Sequence, residues 1–175
     1  MTIAESIAKV RENIAKAQAN SQYAASSVLL LGVTKTQTVE KMRLAEQAGI
    51  TDFGENRVQE MMSKYEEFPN INWHLIGHLQ TNKVKYIIGR TVLIHSLDSI
   101  ALAEEIEKRS GAAGIITNVL VQLNIAEEET KSGLDWEEAC RLLESDEFKV
   151  LEHIRIVGVM GIATYTEDRE QIRKE

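Results

Sequence analysis

The chain has 175 residues, 43% of them hydrophobic and 27% charged, the make-up of a globular protein large enough to bury a core within one domain. A formal net charge of -7 argues against a general binder of nucleic acid or anionic membrane, whose electrostatic footprint is basic. No apolar stretch approaches the roughly 20 residues that cross a bilayer, no signal-peptide core opens the chain, and Cys140 is the lone cysteine, so a cytoplasmic, reducing setting is expected.

Thr2-Ile-Ala-Glu5 is a capping-box pattern, and Ile3, Ile7, Val10 and Ile14 follow at helical spacing. Beyond this first helix, apolar runs predict strands over 28–35, 50–54, 72–77, 92–97, 118–125 and 156–163. A helix from about Thr38 ends at Ala48-Gly49, with glycine just past its last turn. The next begins near Asn56 and carries Val58, Met61, Met62 and Tyr65 on one face before Pro69. A third holds Val84, Tyr86, Ile87 and Ile88 and stops at Gly89. Asp98 or Ser99 opens a fourth that buries Leu102 and Ile106, and Asp135 to Glu138 forms a second capping box for a fifth. Cys140 falls in that helical pattern and reads as packing.

Strands alternating with helices predict βαβ units and a parallel sheet. Two architectures follow: an open doubly wound sheet or a closed (β/α)8 barrel. A doubly wound nucleotide binder usually carries a glycine-rich turn after its first strand. Here that position reads Thr34-Lys-Thr-Gln-Thr38, which favours the barrel although only six strands are legible.

Polar residues close most of these strands: Lys35, Glu55 with Asn56, His78, His95 with Ser96 and Asp98, and Asn124. In a barrel all such ends open on one face, where the βα loops build the site. Lys35 is the most informative of them. An ammonium ending a buried strand is costly to desolvate, and covalent capture of an aldehyde is one reason to place it there. A lysine that reaches out to solvent is the plain alternative. Asn56 and Asp98 also read as helix caps. His74 and His78 are four apart, but in a strand and its end rather than on a helix, which argues against a shared metal. Glu127 to Glu129 reads as a solvated charge run, and Lys131-Ser-Gly133 as an exposed turn or a second amine near the rim.

These motifs together resemble a known family. Gly-Val-Thr-Lys35-Thr, Phe53-Gly-Glu-Asn-Arg-Val-Gln-Glu60 and Trp73-His-Leu-Ile-Gly-His-Leu-Gln-Thr-Asn-Lys83 are similar to segments of the YggS/PROSC family of pyridoxal phosphate homeostasis proteins. Ile94 to Ser99, Val121 to Ile125 with Thr130 to Gly133, and Val157 to Thr164 fit the same pattern in order. The resemblance implies a (β/α)8 barrel like the N-terminal domain of alanine racemase (fold type III of the pyridoxal phosphate enzymes). It implies pyridoxal 5'-phosphate as cofactor, held as a Schiff base on Lys35, with Asn56 beside it and His78, Ser96 and Met160 around the pocket. It further implies a role in controlling free pyridoxal phosphate and its transfer to apoenzymes. Racemase turnover is not expected of such a protein, which lacks the racemase's second domain.

The resemblance also sets an expectation for the end of the chain. Thr166 to Glu175 starts like a helix, and two further βα units of a (β/α)8 barrel would follow it. The family's serine-rich phosphate turn and its arginine-glycine segment belong to those units. The sequence is therefore read as a barrel domain of about six units, 1–175, with open sheet edges that favour self-association and with weakened cofactor affinity.

Overall fold

Alternation of strand and helix is what the computed structural model shows over its described residues, 1–21, 27–126 and 133–175. Strands β1 (Gly32–Val33), β2 (Asp52–Glu55), β3 (Asn72–Leu75), β4 (Leu93–Leu97), β5 (Thr117–Leu123) and β6 (Ile154–Gly161) form one sheet in sequence order. Every neighbouring pair is parallel. The helices are α1 (Ile3–Asn20), α2 (Val39–Gln47), α3 (Val58–Tyr65), α4 (Ile100–Ala113), α5 (Trp136–Glu144), α6 (Asp146–Lys149) and α7 (Arg169–Lys174), with a 3-10 helix at Thr81–Tyr86. A strictly sequential parallel order is that of a barrel, whereas a doubly wound sheet reverses its order at a switch point. The barrel is present in part: among the described residues β1 and β6 are the sheet's two edges.

Strand alternation splits the side chains between two faces. Phe53, Trp73, Leu75, Ile94 and Val119 join Met61, Phe68, Leu102 and Ile106 in the main hydrophobic cluster. Phe53 packs edge-on against Phe68 and Trp73, with ring centroids 5.4 and 5.9 Å apart. The opposite face of β2 and β3 carries Asp52, Gly54 and His74, which are also buried. A Cβ on Gly54 would come within 3.1 Å of Leu31 and Ile76, so the strands crowd together on this inner face.

Both capping boxes form. The Thr2 hydroxyl accepts the Glu5 N–H while the Glu5 carboxylate accepts the Thr2 N–H, and Asp135 and Glu138 do the same. Arg11 ties α1 to the end of α2 by donating to the carbonyls of Ala48 and Gly49 at 3.2 and 2.6 Å. Those carbonyls close a helix C-terminus, where a cation is favourable.

Four elements differ from the sequence reading. β1 pairs only through Gly32 and Val33, because it has a single neighbour; Val28 and Leu29 are exposed. α3 starts at Val58, with Asn56 left at the strand end. The third helical stretch is 3-10, with Val84 and Ile87 buried and Tyr86 exposed. α6 was not legible: Ser145 ends α5 and caps a second short helix by accepting the Phe148 N–H.

Candidate site at the C-terminal rim of the sheet

The strand ends converge around Gly77. A Cβ there would lie 2.5 Å from the Asn56 carbonyl oxygen and 2.7 Å from its Cα, so only glycine lets the loop after β3 run against Asn56. Ser96, fully buried in β4, donates its hydroxyl to the Gly77 carbonyl at 2.7 Å. His78 pairs through Nδ1 with Asp98 Oδ2 at 3.1 Å, and it is exposed. Asn56, His78 and Ser96 are thus brought together, with the serine bracing the loop. Met160 is placed apart from them: it stands on β6 opposite Gln122 in β5.

Lys35 follows β1 directly, in a four-residue turn closed by the Gln37 N–H donating to the Thr34 carbonyl at 3.0 Å. Its neighbour Thr36 has φ of 61°, the only positive φ of a non-glycine residue among those described. A β-branched residue in that region costs about 1–3 kcal/mol and calls for contacts that hold it. The side chain of Lys35 is exposed, so the expectation of a desolvated ammonium is corrected. Among the described residues β1 is an edge strand.

The contacts that hold the turn come from behind the sheet. Lys64 of α3, buried, donates to the Thr34 carbonyl at 2.9 Å, to Glu55 Oε1 at 2.7 Å and to Glu60 Oε1 at 2.8 Å. The Thr34 hydroxyl donates to Glu55 Oε1 at 2.7 Å, and the Thr36 N–H donates to Glu60 Oε1 at 2.6 Å. Burial opposes the Lys64 charge, but its hydrogen bonds to Glu55 and Glu60 outweigh this and raise the group above the ordinary lysine value. The Lys64 hydrogen bond chiefly holds Glu60 below the usual carboxylate range. Glu55 is therefore not a rim group as its sequence position implied. It is fully buried on the Phe53 side of β2, because residues two apart in a strand share a face.

A second polar array lies on the inner face. His74 Nε2 meets Asp52 Oδ1 at 2.9 Å, and His74 Nδ1 meets His95 Nε2 at 2.9 Å. Burial is the largest influence on Asp52 and opposes its charge, yet hydrogen bonds from Thr51 and His74 keep it below the usual carboxylate range. Burial, then the neighbouring His74, pushes His95 down to about 4. In the neutral pair His74 donates from Nε2 to the carboxylate and accepts at Nδ1 from His95. His95 is thus taken into the sheet's interior rather than offered at the rim.

Sequence reasoning missed both arrays. Glu60 and Lys64 are spaced i, i+4 on a legible helix, and Asp52 alternates with Phe53; these are signals of contact, though not of which strand they meet. Glu127 to Glu129, Thr130, Lys131 and Ser132 lie outside the described residues.

A parallel sheet in sequence order, with a lysine ending its first strand and polar loops gathered on one rim, is part of a (β/α)8-type barrel with its site at the C-terminal ends of the strands. Residues 6–175 match the family model described as "Alanine racemase, N-terminal domain". The pyridoxal phosphate homeostasis protein of Aquifex aeolicus (strain VF5) is 41% identical over 175 residues, covering 99% of this chain and 76% of that protein. Two structures of PipY from Synechococcus elongatus PCC7942, one without PLP and one with PLP bound, align with TM-scores of 0.81 and 0.77 at 32% and 30% identity. Each alignment covers 98% of this chain and 76% of PipY. Alanine racemase of Clostridium difficile 630, at 18% identity and a TM-score of 0.70, shares the fold. The chain belongs to the pyridoxal phosphate homeostasis protein family.

Proposed function

We propose that this chain binds pyridoxal 5'-phosphate with Lys35 as its covalent anchor, and that it serves the homeostasis of that cofactor without turnover of its own. The observation that carries the reading is the placement of Lys35: an exposed amine in a strained turn at the C-terminal end of the first barrel strand. The PLP-bound structure of PipY supports the choice of ligand. When bound, pyridoxal phosphate supplies an aldehyde that a lysine amine captures reversibly with loss of water. The residues at the rim fit that end of the molecule: an accessible amine after β1, Asn56 after β2, and His78 beyond β3. Met160 extends the same assignment to β6, and Ser96 acts through the Gly77 loop that it braces.

Each rim residue has a task in this reading. Lys35 binds, Asn56 orients, and Asp98 holds the His78 ring through Nδ1. Asp98 and Ser96 already engage protein groups, so they hold geometry instead of moving protons to a ligand. Hand-over to apoenzymes in the cytoplasm is the physiological step that such reversible capture serves.

An absorbance titration with pyridoxal phosphate, followed by borohydride reduction and peptide mass mapping, tests the reading. One dominant adduct on Lys35 is expected, with no racemisation of added alanine. Labelling scattered over surface lysines refutes the anchor, and racemisation refutes the absence of turnover.

A further inference from the structure

We infer that Lys64, with Glu55 and Glu60, is the positioning device for Lys35; this deepens the reading above and rests on it. The cluster touches both neighbours of Lys35 and holds them by different atoms. Lys64 grips the Thr34 carbonyl, Glu55 grips the Thr34 hydroxyl, and Glu60 accepts the Thr36 N–H. Lys64 spends all three of its ammonium hydrogens here, on one carbonyl and two carboxylates.

The arrangement is more than a surface ion pair. The side chains of Lys64 and Glu55 are 9% and 0% exposed, and that of Glu60 is 24% exposed. Charge-assisted bonds between Lys64 and Glu55 fix geometry, because neither buried charge finds water to replace its partner. Thr36 shows what they hold against. Its positive φ is a conformation the chain leaves when unsupported, and leaving it redirects the residue before it. Glu60, at 2.6 Å from the Thr36 nitrogen, is the contact that keeps the turn. Helix α3 therefore sets the direction of the amine on the other side of the sheet.

Glu60 gives the cleaner test, since it is part-exposed and its removal leaves the buried Lys64–Glu55 pair intact. Wild type, Glu60→Ala and Glu60→Gln are titrated with pyridoxal phosphate, reduced with borohydride and mapped, with thermal midpoints measured alongside. In Glu60→Ala the yield on Lys35, relative to all other lysines, is expected to fall tenfold or more. Glu60→Gln, which keeps the acceptor oxygen, is expected to stay within threefold of wild type. Equal selectivity in all three overturns the inference, as does an equal loss in the alanine and glutamine variants. Trace acetylation with acetic anhydride gives a readout that needs no pyridoxal phosphate. The Lys35 rate relative to that of exposed Lys41 should differ threefold or more in Glu60→Ala and revert in Glu60→Gln. Should wild type show no preference for Lys35 with pyridoxal phosphate, the anchor assignment fails, while equal acetylation ratios separately overturn the positioning role.

Discussion

Replacing Lys64 with methionine isolates what a buried charge contributes when its partners cannot reach water. Lys64→Met keeps a long unbranched side chain in α3 but removes a donor shared by the Thr34 carbonyl, Glu55 and Glu60. Glu60 can turn towards solvent, whereas Glu55 cannot: it is 0% exposed, and its Oε2 has no hydrogen-bond partner. Removing one member of a buried pair costs ~3–5 kcal/mol, because the other is left charged and uncompensated. Urea unfolding, followed through the fluorescence of buried Trp73, should therefore show a loss of ~3–5 kcal/mol at pH 8 with an unchanged slope. In the double variant Lys64→Met/Glu55→Gln much of the loss should return, because no buried charge remains and the amide oxygen still accepts the Thr34 hydroxyl. A loss below ~1 kcal/mol at pH 8, or no recovery in the double variant, would refute the view that Lys64 neutralises a buried carboxylate.

Acid should weaken the protein through the inner face. His95, lowered from 6.5 to about 4 chiefly by burial, contributes stability that is full above pH 6.5 and lost as the pH falls towards 4. Screening by solvent reduces that contribution to about 1–2 kcal/mol. His95→Gln should flatten the stability profile over that window in a urea series, and an unchanged slope would contradict the assignment. Asp52, lowered by its hydrogen bonds from Thr51 and His74, adds a further loss at lower pH, as it takes up a proton below its unfolded value. Gly77→Ala should destabilise by about 1–3 kcal/mol, since its Cβ would meet the Asn56 backbone, and should weaken pyridoxal phosphate capture more than stability alone explains. Lys35→Ala should leave stability within about 0.5 kcal/mol, as expected for an exposed side chain, while abolishing the dominant borohydride-trapped adduct.

The order of elements was legible because its signals are local. Capping boxes at Thr2 and Asp135, the glycine after α2 and apolar runs of strand length each depend on a few adjacent residues. Lys35, Asn56, His78 and Ser96 were legible as strand ends for the same reason. What stayed hidden depends on partners far along the chain. Glu55 is adjacent to Asn56 in sequence, yet the two serve opposite sides of the sheet, and only the contact with Lys64 on α3 shows which side is which. His74 and His95 are 21 residues apart and bond across adjacent strands, a juxtaposition that no spacing rule for a single element encodes. Burial was expected for Lys35 from its place at a strand end, whereas its side chain is exposed beside β1, which has one neighbour among the described strands.

Exposure changes how the proposed role of Lys35 as anchor would be explained. Were the amine buried, loss of solvation alone would account for its chemistry, and the loop around it would matter little. With its side chain exposed, a preference of an aldehyde for this amine over other lysines would have to come from position. The structure places the means for this at the same residues: a turn in a conformation unfavourable for Thr36, fixed through Glu60 and Lys64, and a neighbouring rim whose polar groups are held by one another. An amine directed in this way favours capture of an aldehyde already docked at the rim. Asp98 and Ser96, committed to His78 and to the Gly77 carbonyl, are poorly placed to carry protons for an incoming amino acid. Holding the cofactor and releasing it again is the behaviour that combination supports.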